Sequence, residues 1–362
     1  MDTSAAPIAL PRRFAGWLGA WLDTLPGSEP RATCDDCAMC PRDPTAVAPG
    51  MGTYSPVTKC CTYVPVLSNF LVGDVLCDTA PDAAAGRATL EARVRARVGV
   101  TPLGLARSRR YELLYVQGRD GFGRAESMRC PHHLEDGRCG IWRHRESTCV
   151  TWFCKYERGA LGYAFWRRVQ DALLTVETAL ARHVVHALGL PPRTLAALFA
   201  PRPSSGVSAI DDADLDERVA PAAYAGLWGD WVDREFEFYR AASAVVDGLD
   251  AARVRALGGP ELEIRLTLLT DAQSAMRSPH IPARVVTRPV SIVGHSGDAM
   301  QVVSYSPLDP LSVPRTLMDV LHRFDGRPTT EVLAALEAER GLRIAPGLVR
   351  KLVAFGVLAE VE

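Results

Sequence analysis

Residues 160–188 read ALGYAFWRRVQDALLTVETALARHVVHAL, and the fold class follows from them. Phe165, Trp166, Val169, Leu173, Val176, Leu180, Val184 and Leu188 return every three or four positions, the period of a helix that buries one face. Further along, Ala222 to Asp247 and Pro260 to Met276 carry the same signature, and PRPSSG (Pro201–Gly206) reads as a loop between helical stretches. The middle of the chain is therefore expected to be helical and the fold mainly α (α+β).

Just upstream lies CPHHLEDGRCGIWRHRESTCVTWFC, carrying Cys130, Cys139, Cys149 and Cys154. Two further groups precede it: CDDCAMC, with Cys34, Cys37 and Cys40, and the pair Cys60–Cys61. Cys77 stands apart, with no role assigned. Ten clustered cysteines in a chain without a secretory pattern favour metal ligation over disulfides. In C-x2-C-x2-C the backbone can curl so that successive sulfurs converge. Three such cysteines and a distant fourth hold a [4Fe-4S] cluster in bacterial ferredoxins, and Cys130, followed by Pro131, is a candidate fourth. Four thiolates hold zinc equally well, so the spacing leaves both metals open. An iron–sulfur cluster is favoured, because ten cysteines exceed the needs of one zinc and histidine ligands are scarce. On an extended strand Cys60 and Cys61 would point to opposite faces and serve two sites; on a turn both would reach one. Gly137 and Gly140 flank Cys139 and permit tight turns there.

These residues resemble the YkgJ-type cysteine-cluster family, described as zinc- or iron-chelating. Its pattern has an N-terminal group ending in CC, then C-P-(F/Y)-L-x-x-x-x-C-x-(I/V)-(Y/W)-x-x-R-P-x-x-C-x-x-(F/W)-x-C. The stretch from Cys130 to Cys154 follows most of it, with Glu146 where the family has proline, a change expected to affect a turn rather than a ligand. The N-terminal half departs more, since nineteen residues separate CDDCAMC from Cys60–Cys61. The resemblance implies metal ligation by Cys34, Cys37, Cys40, Cys60, Cys61, Cys130, Cys139, Cys149 and Cys154. Flagellin lysine methylases share a related cluster, which opens an enzymatic alternative: modification of a peptide or protein side chain by methylation or redox chemistry. No G-x-G-x-x-G follows a predicted strand, and no CxxxCxxC motif is present.

Toward the C-terminus, ARVVTRPVSIVG and DAMQVVSY read as two strands joined by a glycine-containing turn. RTLMDVLHRF reads as a helix closed at Asp325–Gly326. A second helix runs from Thr329 to Gly341, and a third opens at Pro346 and ends at Gly356 before an apolar tail. The order predicts a small winged-helix domain. It resembles the PqqD-like domains that recognise leader peptides, on FDGRPTTEVLAAL and LVRKLVAFGVL, which implies a peptide or protein partner. Nucleic acid is disfavoured, because the recognition-helix position offers only Arg350 and Lys351 and the net charge is -1.

The expected organisation is an N-terminal amphipathic helix (1–33), a cysteine-rich metal-binding module (34–159), a helical region (160–279) and the winged-helix domain (280–362). Arg12–Arg13 faintly resembles a twin-arginine signal, but Asp23 interrupts the apolar stretch and no A-x-A site follows. A cytoplasmic location without a membrane span is expected, since no run of about 18 apolar residues occurs. His132 and His133 read as loop residues rather than zinc ligands, and His144 as solvent-facing. His183 and His186 read as ordinary helix residues, and Asp35 and Asp36 as exposed loop. Trp142, Trp152 and Phe153 are expected to shelter the metal. The basic segment Arg107–Arg168 is expected to lower the thiol pKa values.

Overall fold

The computed structural model describes residues 10–24, 29, 37–41, 52–199 and 220–361. Cys34, Asp35, Asp36 and the PRPSSG segment lie outside the described residues. Helix accounts for 55% of the structure and strand for 11%, which makes it mainly α with an α+β element. None of the described helices is long and apolar enough to cross a membrane.

The first helix, α1 (Arg12–Trp21), buries Phe14, Trp17 and Leu18 as their spacing predicts. A small antiparallel sheet follows, built from β1 (Leu67–Ser68), β2 (Val100–Thr101) and β3 (Gly104–Leu105) with β3 in the centre. Between β1 and β2 run α2 (Asn69–Cys77) and α3 (Ala84–Arg95). The RRYELLYVQ stretch is helix α4 (Arg109–Gln117). The Ser108 hydroxyl starts it by accepting the Tyr111 N–H at 3.2 Å, a capping bond that outweighs the β-forming aromatics. A short α5 (Ser147–Thr151) leads into α6 (Gly159–Ala187), the long helix, and then α7 (Pro192–Leu198).

The expected helix Ala222–Asp247 is broken into α8 (Pro221–Trp228) and α9 (Glu235–Asp247), because Gly229 and Asp233 adopt positive φ between them. The last long helix, α10 (Ala251–Arg277), begins nine residues before Pro260 and kinks at Gly259. One core holds Phe14, Leu71, Leu90, Ile141, Leu173, Phe238 and Leu262. The N-terminal helix, the cysteine-rich segment and the helical middle therefore bury their apolar faces against each other.

Residues 284–360 gather around a second core of Val285, Leu321, Phe324, Leu336, Leu352 and Leu358. Its strands are β4 (Arg284–Thr287), β5 (Ser291–Ser296), β6 (Ala299–Val303), β7 (Leu311–Pro314), β8 (Asp325–Pro328) and β9 (Leu358–Glu360). They form two sheets, in order β8-β4-β9 and β5-β6-β7. ARVVTRPVSIVG is thus two strands, divided at Pro289: β4 pairs with β8 and β9, whereas β5 makes the hairpin with β6 across Gly297. RTLMDVLHRF is an α-helix only over α11 (Arg315–Met318), with a 3-10 helix at Leu321–Arg323, and Asp325–Gly326 belongs to a strand rather than a helix end. Helices α12 (Thr329–Arg340) and α13 (Pro346–Ala354) follow the expected bounds, with Gly341 left-handed after α12.

Where α2 crosses α9, Gly73 lets the two backbones touch: a Cβ there would lie 2.0 Å from the Tyr239 carbonyl oxygen. Beside it Asp74 receives a two-pronged ion pair from Arg13, at 2.5 Å on each oxygen, and a 2.6 Å bond from the Ser243 hydroxyl. Gly73→Ala must push the helices apart, so it should cost about 1–3 kcal/mol, within the overpacking range. A thermal melt of the variant indistinguishable from that of the unmodified chain would contradict this packing.

Candidate metal centre

The described cysteines, Cys77 excepted, converge from three segments. Cys37 and Cys40 share a tight turn, with the Cys40 N–H donating to the Cys37 carbonyl at 2.8 Å. Tyr54 ties this turn down by donating its N–H to the Met39 carbonyl at 2.7 Å. Successive turns over residues 55–63 place Cys60 and Cys61 on a turn rather than a strand, and their thiols hydrogen-bond to each other. The Cys61 carbonyl then accepts the Cys130 N–H at 2.7 Å, joining this loop to the third segment.

From Cys130 the chain makes a short hairpin in which His133 bridges Cys139 and the Gly140 N–H donates to the His132 carbonyl at 2.8 Å. Gly137 turns it at φ 81°, as its position predicts. Gly140 serves another purpose: it lets the hairpin lie against Gly86 of α3 so closely that a Cβ on Gly86 would sit 1.7 Å from the Gly140 oxygen. The His132 N–H is turned toward the Cys130 sulfur, whereas the His133 N–H donates to the Cys130 carbonyl at 3.0 Å. Backbone donors aimed at sulfur are what a metal thiolate requires.

Glu146 does more than alter a turn. Its carboxylate caps α5, accepting the Thr148 N–H at 2.6 Å and the Cys149 N–H at 3.0 Å, and it also accepts the Cys149 thiol proton. Ser147, which follows it, is held by Glu177 of α6 through its N–H at 2.9 Å and its hydroxyl at 3.1 Å. Glu177 is buried, and burial together with the Glu146 charge raises it well above the usual carboxylate range.

Burial dominates the thiols as well. Cys130 is pushed up to about 12, chiefly by burial. Cys40 and Cys154 also rise to about 12, for the same leading reason. Lys59, Arg93 and Lys155 act in the expected downward direction on Cys40, Cys130 and Cys154. Their charges are outweighed by the loss of water, so the expectation of lowered thiol pKa values does not hold for these three.

His132 and His133 lie in the turn after Cys130, as expected of loop residues, yet they are buried, His132 fully and His133 at 7% exposure. The Thr89 hydroxyl spends its proton on the Gly86 carbonyl at 2.7 Å, so the His132 Nδ1–H donates to Thr89 at 2.9 Å. This leaves a bare lone pair on His132 Nε2, buried and without a partner among the described residues. Burial lowers its pKa to about 3, so the ring is neutral. His144 is not solvent-facing either: its Nε2 meets Asp78 Oδ2 at 2.9 Å. His186 stacks on Phe199.

The aromatic shelter is present but differently composed. Trp152 packs on Phe122, which packs on Tyr54, whereas Phe153 turns into the main core against Trp166. Trp142 lies under the Arg145 guanidinium. Tyr54, which the sequence pattern did not single out, is 6% exposed, and its hydroxyl has no partner among the described residues. The charges it feels most come from Cys154, Cys60, Cys37 and Cys40. Cys77 is exposed at the end of α2, away from all of these.

As the chain stands, no three His, Cys, Asp or Glu side chains among the described residues are gathered closely enough to hold a metal ion. The donor set nevertheless fits one. Soft thiols lie near each other, a backbone N–H points at sulfur, and an orphaned Tyr54 hydroxyl stands among four of the cysteines. Compared with known proteins, the chain matches no family model, no curated protein and no solved structure.

Next to Glu146 opens a cavity of about 860 Å³, lined among others by Tyr63, Thr148, Glu177, Arg182 and His186. Neither of its two buried carboxylates is ion-paired among the described residues.

The raised thiols have a measurable consequence. Each binds its proton more tightly folded than unfolded, so its stabilisation is full below the ordinary thiol value of 9.0 and fades as pH rises toward about 12. The metal-free chain should lose stability over that window, and Cys130→Ser should lose less. Urea midpoints that stay level from pH 9 upward would refute the burial of these thiols.

Proposed function

We propose that this is a metal-binding cysteine-cluster protein, holding an iron–sulfur cluster or zinc, that engages a peptide or protein partner through a C-terminal winged helix. The observation that carries the metal half is the orphaned Tyr54 hydroxyl among Cys37, Cys40, Cys60 and Cys154. A buried hydroxyl without a partner costs about 1–3 kcal/mol, and a metal-bound thiolate is an acceptor that removes the cost. The ligand candidates are the nine cysteines other than Cys77, with Cys34 outside the described residues. A bound metal would supply charge that keeps these thiolates deprotonated. The protein's own part is to keep water away with Trp152 and Phe122 and to donate a backbone N–H to sulfur.

The partner half is supported by residues 284–360, which have their own core and several strand edges. Within its sheet β5 pairs only with β6, so its outer edge offers backbone groups to an extended peptide. That unit leans on the metal-binding segment: Asp309 accepts the Tyr156 N–H at 3.2 Å, and Phe355 packs on Gly159 at the start of α6. A partner held there would be close to Cys154.

A second reading is a metalloenzyme that modifies a peptide or protein side chain by methylation or redox chemistry. One observation favours it: Glu146 both accepts the Cys149 thiol proton and lines the cavity. A metal-linked group and a ligand-sized space would then share one carboxylate.

Anaerobic purification with iron, sulfide and zinc analysis tests the metal reading. The expected result is stoichiometric iron and sulfide with broad visible absorption, or colourless protein with stoichiometric zinc. Metal-free protein that takes up neither on reconstitution would sink it.

A further inference from the structure

The described cysteines divide into two groups. Around Tyr54 stand Cys37, Cys40, Cys60 and Cys154. Cys40 feels chiefly Cys37, Lys59 and Cys60, while Cys154 feels Cys37 and Cys60. The second group is Cys130, Cys139 and Cys149: Cys149 feels the other two, and Cys130 feels Cys139. Geometry divides them the same way: Tyr54 donates its N–H to the Met39 carbonyl, between Cys37 and Cys40, and reaches Trp152, two residues before Cys154, through Phe122, while Cys130 and Cys139 share one hairpin.

The backbone explains the division. Cys149 and Cys154 are five residues apart, yet α5 ends at Thr151 and Trp152 is extended at φ -89° and ψ 126°. That step carries Cys154 away from the helix and toward Tyr54, with Trp152 seated on Phe122 on the way. Cys130 is joined to Cys61 by its N–H bond, and the hairpin that follows keeps Cys139 with it. Lys59 lies between the groups, donating to the Gly137 carbonyl at 3.1 Å while its charge reaches both Cys40 and His133. Cys61 stands at the seam, its thiol on Cys60 and its side chain packed near Cys130. A single zinc or cubane accepts four thiolates, and the described segment brings more than that, in two places.

We infer that the chain holds two separate thiolate metal centres, one on Cys37, Cys40, Cys60 and Cys154 beneath the Tyr54 hydroxyl and one on Cys130, Cys139 and Cys149. This rests on the metal-binding reading and adds to it the number of centres and the membership of each. Tyr54 is a positioning residue of the first centre, donating its hydroxyl proton to a bound sulfur. A hydrogen bond to a ligating sulfur withdraws charge from the metal and so tunes its spectrum.

The test compares the full chain with Cys40→Ser/Cys154→Ser and Cys139→Ser/Cys149→Ser, all purified anaerobically, by metal and sulfide content per chain. Each double variant should keep about half the metal of the unmodified chain, because the other centre stays intact. Loss of all metal from a double variant that keeps its circular dichroism would mean one shared centre and overturn the proposal. No loss from either would do so too. A variant that fails to fold also loses metal, so the metal-free unmodified chain is titrated with cobalt(II) as an independent arm. Saturation at two cobalt ions per chain supports the proposal; saturation at one sinks it. Tyr54→Phe should shift the cobalt–thiolate absorption in the Cys139→Ser/Cys149→Ser background and leave it unchanged in the Cys40→Ser/Cys154→Ser background. The reverse pattern would remove Tyr54 from the first centre. An unmodified chain that binds no metal of any kind would defeat the metal reading itself, which separates the two failures.

Discussion

The hydrogen bonds from Ser147 to the Glu177 carboxyl group hold the cysteine-rich segment to the rest of the molecule. Glu177 lies mid-way along α6, deep in the protein, and fixes Ser147 through both backbone and hydroxyl. Gln170, two turns earlier on the same helix, adds a 2.8 Å bond to the Thr148 hydroxyl. Breaking these contacts would strand a buried carboxyl without donors, a penalty of about 1–3 kcal/mol or more. The placement of Cys149 follows from that anchor, and the extended step at Trp152 then determines where Cys154 goes.

The site trades charge for dryness. Buried thiols keep their protons while no metal is bound, which avoids several repelling anions in a poorly solvated space. On the reading proposed above, metal uptake would release those protons, and affinity would rise with pH. Lys59 lies close to Cys40, and Arg93 to Cys130.

The C-terminal unit is not a loose appendage. Tyr305, Asp309 and Phe355 meet Tyr156 and Gly159, immediately after the last cysteine. Tyr156 links the two sides, since its hydroxyl accepts the Phe153 N–H while its own N–H goes to Asp309. Displacement of that unit would be felt first at Cys154.

Much was legible in the sequence. The apolar period of residues 160–188 determined α6 almost to the residue, because burial of one helix face is a local pattern. Gly137, Gly341 and Pro346 likewise acted where they stand, since left-handed turns and helix starts depend on one or two residues. The cysteine spacing marked out which residues to consider. Tertiary structure alone decided what could not be local. It buried the two histidines and raised the thiols against a basic sequence, because desolvation depends on neighbours from distant segments. It made a helix of RRYELLYVQ through one capping serine, and it paired β4 with strands forty and seventy residues away rather than with the next one along. Tyr54 carried no motif; only the approach of three separated segments leaves its hydroxyl among four sulfurs. Spacing names the candidate ligands, but which cysteines approach one another is set by which backbone lies against which.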